Sequence, residues 1–264
     1  MLLAIDVGNT NTVFAVFRDG TPAGEWRCNT ERVRTADQYY VWLSQLMEHG
    51  GLSPREIRNV VISNVAPDTL FNLRVLCDRY FDTRPLVVGK PECDLPVPVR
   101  VDNPSEVGGD RLVNTVAAHN RHGGNLIVVD FGTATTFDVV AEDGAYEGGV
   151  IAPGVNLSLD ALHGAAAHLP RIDVTKPQAV LGRNTVACMQ SGIYWGYVGL
   201  IEGICARLSA ERGAPMKVIA TGGLSPLFAR GTSMIEAVEA DLTVHGLVLI
   251  HEHNMRTQGV PKEG

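Results

Sequence analysis

Two short stretches of the chain carry the same set of residues that could do phosphate chemistry. IDVGNTNT (residues 5–12) and DFGTATT (residues 130–136) each place an Asp at the end of an apolar run, followed by Gly and a cluster of Thr or Asn. Gly and short polar side chains at a strand turn expose backbone N–H groups and hydroxyls, which suit phosphate oxygens. A carboxylate aimed at a polyphosphate requires a cation between the two, and Mg²⁺ is the usual one.

The two stretches align as an internal repeat. Asp6 aligns with Asp130 and Thr12 with Thr136, and no gap is needed along the hairpins. Similar apolar strands would explain the apolar positions, but not Asp, Gly and Thr in the same register. The repeat therefore predicts an α/β protein with two similar lobes, residues 1–122 and 123–264, that face a nucleotide cleft.

Gly-Gly-Asp-Arg at residues 108–111 is a third candidate site. Phosphoryl transfer to an alcohol needs a carboxylate near the attacking hydroxyl to accept its proton, and Asp110 is suited to this. Arg111 offers a planar guanidinium for a carboxylate or amide oxygen. Asp110 is also a good helix N-cap, which is the structural alternative. The two preceding glycines favour a site, since they let a ligand approach the backbone.

The elements that must position these residues follow from the apolar pattern. Strands are predicted at residues 2–6, 12–17, 59–64, 85–88 and 216–220, with a strand pair over 125–140. Helices are predicted at residues 35–50, 68–80, 110–120, 155–163 and 184–207, with a last helix from about residue 241. The Pro-rich stretch 93–104 and the Gly-rich stretch 148–154 are predicted loops.

Composition and charge argue against several classes of protein. The 264 residues are 45% hydrophobic and 19% charged, with a net charge of −7 and no dense run of Lys or Arg, so no nucleic-acid partner is expected. The apolar run at the N-terminus has no basic leader and is too short for a membrane span, so no signal peptide, membrane span or membrane partner is expected. The five cysteines form no CxxC pair, which is typical of reduced thiols in a cytoplasmic protein.

Taken together, the motifs resemble those of type III pantothenate kinases, a family of the actin, sugar-kinase and heat-shock-chaperone superfamily. The resemblance is carried, in the family's order, by IDVGNTNT, NPSEVGGDR, DFGTATTFD, GGVIAPG and VIATGG, which span almost the whole chain. It implies two ribonuclease-H-like α/β lobes of the actin-like ATPase fold. It also implies ATP-dependent phosphorylation of pantothenate to 4'-phosphopantothenate, the first step of coenzyme A biosynthesis.

The resemblance further implies a role for individual residues. Asp110 would be the catalytic base. ATP would be bound by Asp6, Val7, Gly8, Asn9, Thr10, Asn11, Thr12, Val13, Thr133, Gly222 and Gly223. Pantothenate would be bound by Gly108, Gly109, Asp110, Arg111 and Thr185. Asp6 would hold Mg²⁺, and Asp130 would contribute to a site for a monovalent cation, K⁺ or NH₄⁺.

The resemblance at Thr185 implies an oligomeric assembly as well as a contact with pantothenate. In the family, the equivalent residue touches pantothenate from the other subunit, which implies a homodimer with active sites at the interface. Asn184 or Thr185 is also a suitable helix N-cap, and Gly222-Gly223 also fits an ordinary strand-to-helix turn. The chain departs from the family pattern at Val101, where many members carry Tyr.

Three alternative functions fit parts of the pattern. Another small-molecule kinase of the superfamily, such as a sugar kinase, would share the phosphate motifs. A non-catalytic regulatory protein that binds nucleotide would share them too, but it would not need the pair Asp110 and Arg111. A chaperone-like ATPase would require a further peptide-binding domain, for which this chain is too short.

Overall fold

The computed structural model describes residues 1–166 and 168–258, so residues 259–264 of the expected second lobe lie outside the described part. The strands are β1 (Leu2–Val7), β2 (Asn11–Arg18), β3 (Thr21–Asn29), β4 (Asn59–Asn64), β5 (Leu86–Val87), β6 (Leu126–Phe131), β7 (Ala134–Val140), β8 (Tyr146–Pro153), β9 (Lys217–Gly222) and β10 (Ile235–Val238). The helices are α1 (Ala36–His49), α2 (Leu70–Phe81), α3 (Gly109–His122), α4 (Val155–Ala165), α5 (Thr185–Arg212), α6 (Ser225–Ala229) and α7 (Leu242–Gln258).

The chain forms two compact units. Among the described residues, the first unit comprises Met1–Pro98, Asp102–Ala117 and those from Thr243 onward, and the second comprises Val99–Val101 and those of Ala118–Leu242. Helix α7, the last in the chain, thus belongs to the first unit. The lobe boundary at residue 122, which the sequence places at His122-Gly123-Gly124, stays a prediction.

Each unit contains one five-stranded sheet, and the two sheets have the same topology. The strand orders are β3-β2-β1-β4-β5 and β8-β7-β6-β9-β10. In each sheet the first three strands along the chain form an antiparallel meander, the fourth pairs in parallel with the first, and the fifth pairs in parallel with the fourth. The central strands β1, β4, β6 and β9 are nearly continuous apolar runs because both of their faces are covered.

The repeat holds in space, with one correction to the alignment. In the first hairpin Val7 pairs with Thr12, whereas in the second Phe131 pairs with Thr135. The second turn is therefore one residue shorter, and the ungapped match of Thr12 with Thr136 is wrong. The counterpart of Thr12 is Thr135, and the side chains of both are fully buried.

Several elements differ from those predicted from the sequence. The Gly-rich stretch 148–154, predicted as a loop, is mostly strand β8. Strand β3 was not predicted either, because it lies at the edge of its sheet and its residues are mostly exposed and polar. The short elements α6 and β10 were likewise missed.

Each unit buries its own apolar core against its sheet. In the first unit, Phe14 of β2 packs with Tyr39 and Leu43 of α1, which begins with a capping box of Thr35 and Gln38. The second unit's core stacks Phe228 of α6 against aromatic side chains of β6 and α5.

Among residues 1–166 and 168–258, no helix has the length and apolarity that crossing a lipid bilayer requires.

Candidate active site

The first predicted phosphate turn, between β1 and β2, is held by backbone and hydroxyl contacts. The N–H of Gly8 donates to the carbonyl of Asn11 at 3.0 Å, which closes the turn. Thr30 braces it from outside, because its hydroxyl donates to the carbonyl of Gly8 at 2.8 Å and its N–H donates to the carbonyl of Thr10 at 2.9 Å. Its hydroxyl also lies 2.9 Å from that of Thr12.

Some residues of this turn have exposed side chains, and others are buried. The side chains of Asn9, Thr10 and Asn11 are exposed, so they are accessible to a ligand. Val7 and Val13 are buried in the sheet, so only their backbone groups remain for binding. The turn therefore presents polar side chains on a backbone that the buried strands hold in place.

Asp6 and Asp110 form an acidic pair within the first unit. Asp6 is the penultimate residue of β1, and Asp110 is the second residue of α3. The pKa of Asp6 is raised to about 7, chiefly by burial and in second place by the negative charge of Asp110. Burial also raises the pKa of Asp110, against the opposing effect of the Arg111 N–H, which donates to Asp110 Oδ1 at 2.8 Å. Both carboxyl groups thus have a greater affinity for protons than an exposed Asp.

The two glycines before Asp110 have different surroundings. A Cβ atom at Gly108 would lie 2.7 Å from Asp110 Oδ1, closer than a real Cβ atom approaches an oxygen. A Cβ atom at Gly109 would make ordinary contacts, the nearest at 3.5 Å from Ser63 Oγ. Gly108 is therefore required for the present position of the carboxylate, and Gly109 is not.

The acidic pair is better suited to Mg²⁺ than to a metal ion that takes all of its ligands from the protein. In the described residues, no group of three or more His, Cys, Asp or Glu side chains is placed to hold a metal. Mg²⁺ is commonly bound by one or two carboxylates, with water and substrate phosphates as its other ligands. Two neighbouring carboxyl groups next to a phosphate turn match that requirement.

The second unit repeats the arrangement around Asp130, the penultimate residue of β6. Gly222 ends the adjacent strand β9 with a φ of +86°, and a Cβ atom there would lie 2.7 Å from Asp130 Oδ1 and 2.6 Å from the carbonyl oxygen of Phe131. The position therefore requires glycine. A Cβ atom at Gly223 would meet nothing within 4 Å, which leaves room beside the chain.

Thr133 is exposed at the tip of the second turn, and Gly154 supports it. The N–H of Gly154 donates to the carbonyl of Thr133 at 3.1 Å. A Cβ atom at Gly154 would lie 2.2 Å from that carbonyl oxygen, so any larger residue would displace the turn. The sequence signalled this residue only as the last Gly of GGVIAPG, without a role.

Comparison with known proteins identifies the family. The family model for type III pantothenate kinases matches residues 2–207. A curated type III pantothenate kinase from Ruegeria sp. (strain TM1040) is 66% identical over 254 residues, which are 96% of this chain and 97% of that protein. The chain belongs to the type III pantothenate kinase family. The function that the sequence predicted, a pantothenate kinase of coenzyme A biosynthesis, is thereby confirmed.

Solved structures that resemble this chain show its fold. A conserved protein from Campylobacter jejuni, described as a Baf family transcriptional activator, has a TM-score of 0.61 at 18% identity and covers 96% of this chain and 99% of its own. The ROK hexokinase from Thermus thermophilus has a TM-score of 0.50 at 12% identity and covers 97% and 99%. The predicted fold class, α/β of the actin-like ATPase and sugar-kinase type, is confirmed.

Thr185 and Val101, the two positions that the resemblance connects with pantothenate, lie in the second unit. Thr185 is exposed as the first residue of α5, and the helix N-cap is Asn184, whose side chain accepts from the N–H of Ala187 at 2.9 Å. Val101 is partly buried, and the preceding N–H of Arg100 donates to the carbonyl of Tyr146 at 2.8 Å. The segment of Val101 is therefore attached to β8.

Proposed function

We propose that Asp110 is the base of a reaction in which the primary hydroxyl of pantothenate attacks the γ-phosphorus of ATP. Asp110 would accept the hydroxyl proton, the hydroxyl oxygen would bond to phosphorus, and ADP would leave with the electrons of the broken P–O bond. The observation that carries this role is the Asp110 carboxyl itself, which is partly buried beside Gly108 with its pKa raised. A raised pKa strengthens a carboxylate as a proton acceptor.

We assign Mg²⁺ to Asp6. The support is the proximity of a second carboxyl, that of Asp110, and of the phosphate turn that begins at Gly8. Mg²⁺ bound to ATP neutralises charge that develops on the phosphates during transfer. The exposed side chains of Thr10 and Asn11, together with the turn's N–H groups, would contact the phosphates.

In the second unit, we assign Thr133, Gly222 and Gly223 to ATP and Asp130 to a monovalent cation, K⁺ or NH₄⁺. The space beside Gly223 supports a contact with the nucleotide, since a side chain there would occupy it. Asp130 is a partly exposed carboxylate at a strand end, which is a suitable oxygen ligand for a hard cation. Such a cation would offset phosphate charge in a protein of net charge −7.

Pantothenate would contact Gly108, Gly109, Asp110 and Arg111 of one subunit and Thr185 of a second, in a homodimer. The position of Thr185, exposed at the start of α5, supports this role. Large apolar side chains are exposed in the second unit, among them Ile151, Leu157, Val180 and Leu181, which are 52% to 76% exposed. We infer that these side chains contribute to the surface on which the second subunit associates.

A cytoplasmic location fits the thiols. All five cysteines, which fall within the described residues, are free. Unpaired thiols are typical of proteins in a reducing compartment.

The proposed function is tested by an ADP-release assay with and without pantothenate. The protein should release ADP only when pantothenate is present and should form one 4'-phosphopantothenate per ADP. A panel of sugars serves as the control for another kinase specificity. ADP release with a sugar but not with pantothenate would assign a different substrate, and no ADP release with any acceptor would favour a regulatory protein.

A further inference from the structure

We propose that Ser63 is a positioning residue that orients the Asp6 carboxylate for Mg²⁺, an inference that rests on the proposed role of Asp6. Ser63 belongs to none of the motifs that identify the family. It lies in the apolar strand β4, in the sequence NVVISN, where the sequence pattern does not indicate a functional role.

The strand register places Ser63 next to Asp6. Strands β1 and β4 are parallel, and Asp6 and Ser63 are paired in their register. Paired residues of neighbouring strands point to the same side of the sheet. The Ser63 side chain is therefore on the same side of the sheet as the Asp6 carboxyl.

Ser63 also lies against the beginning of α3, the helix that carries the proposed base. A Cβ atom at Gly109 would lie 3.5 Å from Ser63 Oγ and 3.7 Å from the N of Asn64. The hydroxyl thus lies beside the strand position of Asp6 and also beside Gly109, the residue that precedes Asp110.

The hydroxyl of Ser63 is a buried polar group without a well-formed hydrogen bond. The residue has no exposed surface, and in the described part of the chain Ser63 Oγ has no partner that satisfies hydrogen-bond geometry. Such a group costs free energy unless it is satisfied in another state. A small rotation of the Asp6 carboxylate toward Ser63 would satisfy it, and would fix the direction of the second carboxylate oxygen.

The second unit has an equivalent pair, which supports the inference independently. Strands β6 and β9 are parallel with the same register, and Asp130 is paired with Thr221, as Asp6 is with Ser63. Thr221 is also buried, with 3% of its surface exposed. Both carboxylates that we assign to cations therefore have a hydroxyl at the same position of the adjacent strand.

A hydroxyl that donates to a metal-binding carboxylate fixes the orientation in which the carboxylate binds the metal. Loss of such a partner typically lowers metal affinity about 10- to 100-fold. Loss of the Ser63 hydroxyl should have little effect on folding, since this hydroxyl makes no well-formed hydrogen bond in the structure.

The test compares the binding of AMPPNP, a non-hydrolysable ATP analogue, with Mg²⁺ and with EDTA, by calorimetry. In Ser63→Ala, we expect the concentration of Mg²⁺ that gives half-maximal enhancement of binding to rise about tenfold or more. Binding in EDTA and the melting temperature should stay close to wild type. Ser63→Thr, which restores the hydroxyl and copies Thr221, should recover Mg²⁺ affinity, and Ser63→Cys, of similar volume, should behave like Ser63→Ala.

Thr69→Val is the matched control for removing a buried hydroxyl. Thr69 lies in the same unit and is 1% exposed, and its hydroxyl donates to the carbonyl of Ala66 at 2.8 Å. This variant should lower the melting temperature without changing the Mg²⁺ requirement. An unchanged Mg²⁺ requirement in both Ser63→Ala and Ser63→Cys would overturn the proposal, as would an equal loss of binding with Mg²⁺ and with EDTA.

Asp6→Asn separates the inference from the proposed site. If this variant keeps the wild-type response to Mg²⁺, the assignment of Mg²⁺ to Asp6 fails, and the role of Ser63 fails with it. If only the Ser63 variants keep that response, Asp6 retains its role and Ser63 loses its own.

Discussion

Gly108 leaves the space that the carboxylate of Asp110 occupies. A Cβ atom at residue 108 would lie 2.7 Å from Asp110 Oδ1, whereas one at Gly109 would have no contact shorter than 3.5 Å. Neither glycine has a positive φ, so alanine suits the backbone conformation at both positions. The two positions therefore differ in their effect on the carboxylate and not in backbone strain.

Gly108→Ala should reduce kcat far more than Gly109→Ala. The new methyl group at residue 108 would push Asp110 away from its position, and a displacement of about 1 Å can cost about 100-fold in rate. The methyl group at residue 109 fits, and the fold should keep its stability within ~1 kcal/mol. Steady-state kinetics and thermal melts of the two variants, measured side by side, check this. Equal kinetics in the two variants would contradict it.

Asp110→Asn should fold normally and lose most of its kcat. The amide cannot accept the hydroxyl proton, and loss of a general base typically costs about 10²- to 10⁴-fold. Stability should be equal or higher, because the replacement removes a carboxylate whose charged form is disfavoured by burial. Single-turnover rates and melting temperatures provide the measurements. Turnover near the wild-type level would remove Asp110 as the base.

The pKa of Asp6 predicts a pH-dependent stability of the metal-free protein. The pKa is raised from 3.8 to about 7, so the folded state holds a proton that the unfolded chain releases. This contribution to stability is complete below pH 3.8 and is lost as the pH rises through about 7. The melting temperature of wild type in EDTA should therefore fall, relative to Asp6→Asn, across that range. A difference between the two proteins that stays constant with pH would contradict the shift.

Activity should be low with Na⁺ as the only monovalent cation and should recover with K⁺ or NH₄⁺. The reason is the proposed cation site at Asp130, whose ligand geometry should discriminate between ions of different size. Asp130→Asn should remove most of the difference between the salts, measured at constant ionic strength. Equal wild-type rates in Na⁺ and K⁺ would discard the cation role.

Two inactive variants should restore each other's activity when mixed. If Thr185 serves the active site of the partner subunit, Asp110→Asn and a Thr185→Trp variant, each nearly inactive, would form heterodimers with one intact site. Random exchange of subunits would give about a quarter of the wild-type rate. The assay follows activity after the subunits are exchanged, and light scattering confirms the dimer. A mixture no more active than its components would rule out shared sites, provided that exchange is verified.

The sequence predicted the parts of the site that carry their own local signal. Asp6 and Asp130 follow apolar runs, and glycines and short polar residues follow them, so the strand ends and turns were recognisable. The order of the motifs was sufficient to predict the family and the fold class, and both were confirmed. The roles of the individual site residues stay predictions.

The parts that were missed depend on neighbours that are distant in sequence. Ser63 and Thr30 approach the site only through strand pairing, and neither carries a local pattern. The shorter second turn was not recognised because Thr135 and Thr136 are adjacent, so that an ungapped alignment still matched Thr with Thr. Strand β8 differs from the predicted loop because its two glycines outweigh, in the sequence pattern, the short apolar run that follows them.

The matching registers of β1 with β4 and of β6 with β9 also bear on how the molecule originated. An ancestor half as long would already have had an acidic strand end with a hydroxyl beside it, and fusion of two copies would have supplied both proposed cation ligands at once. Ser63 in one half against Thr221 in the other, and turns of unequal length, are then differences that arose after the duplication.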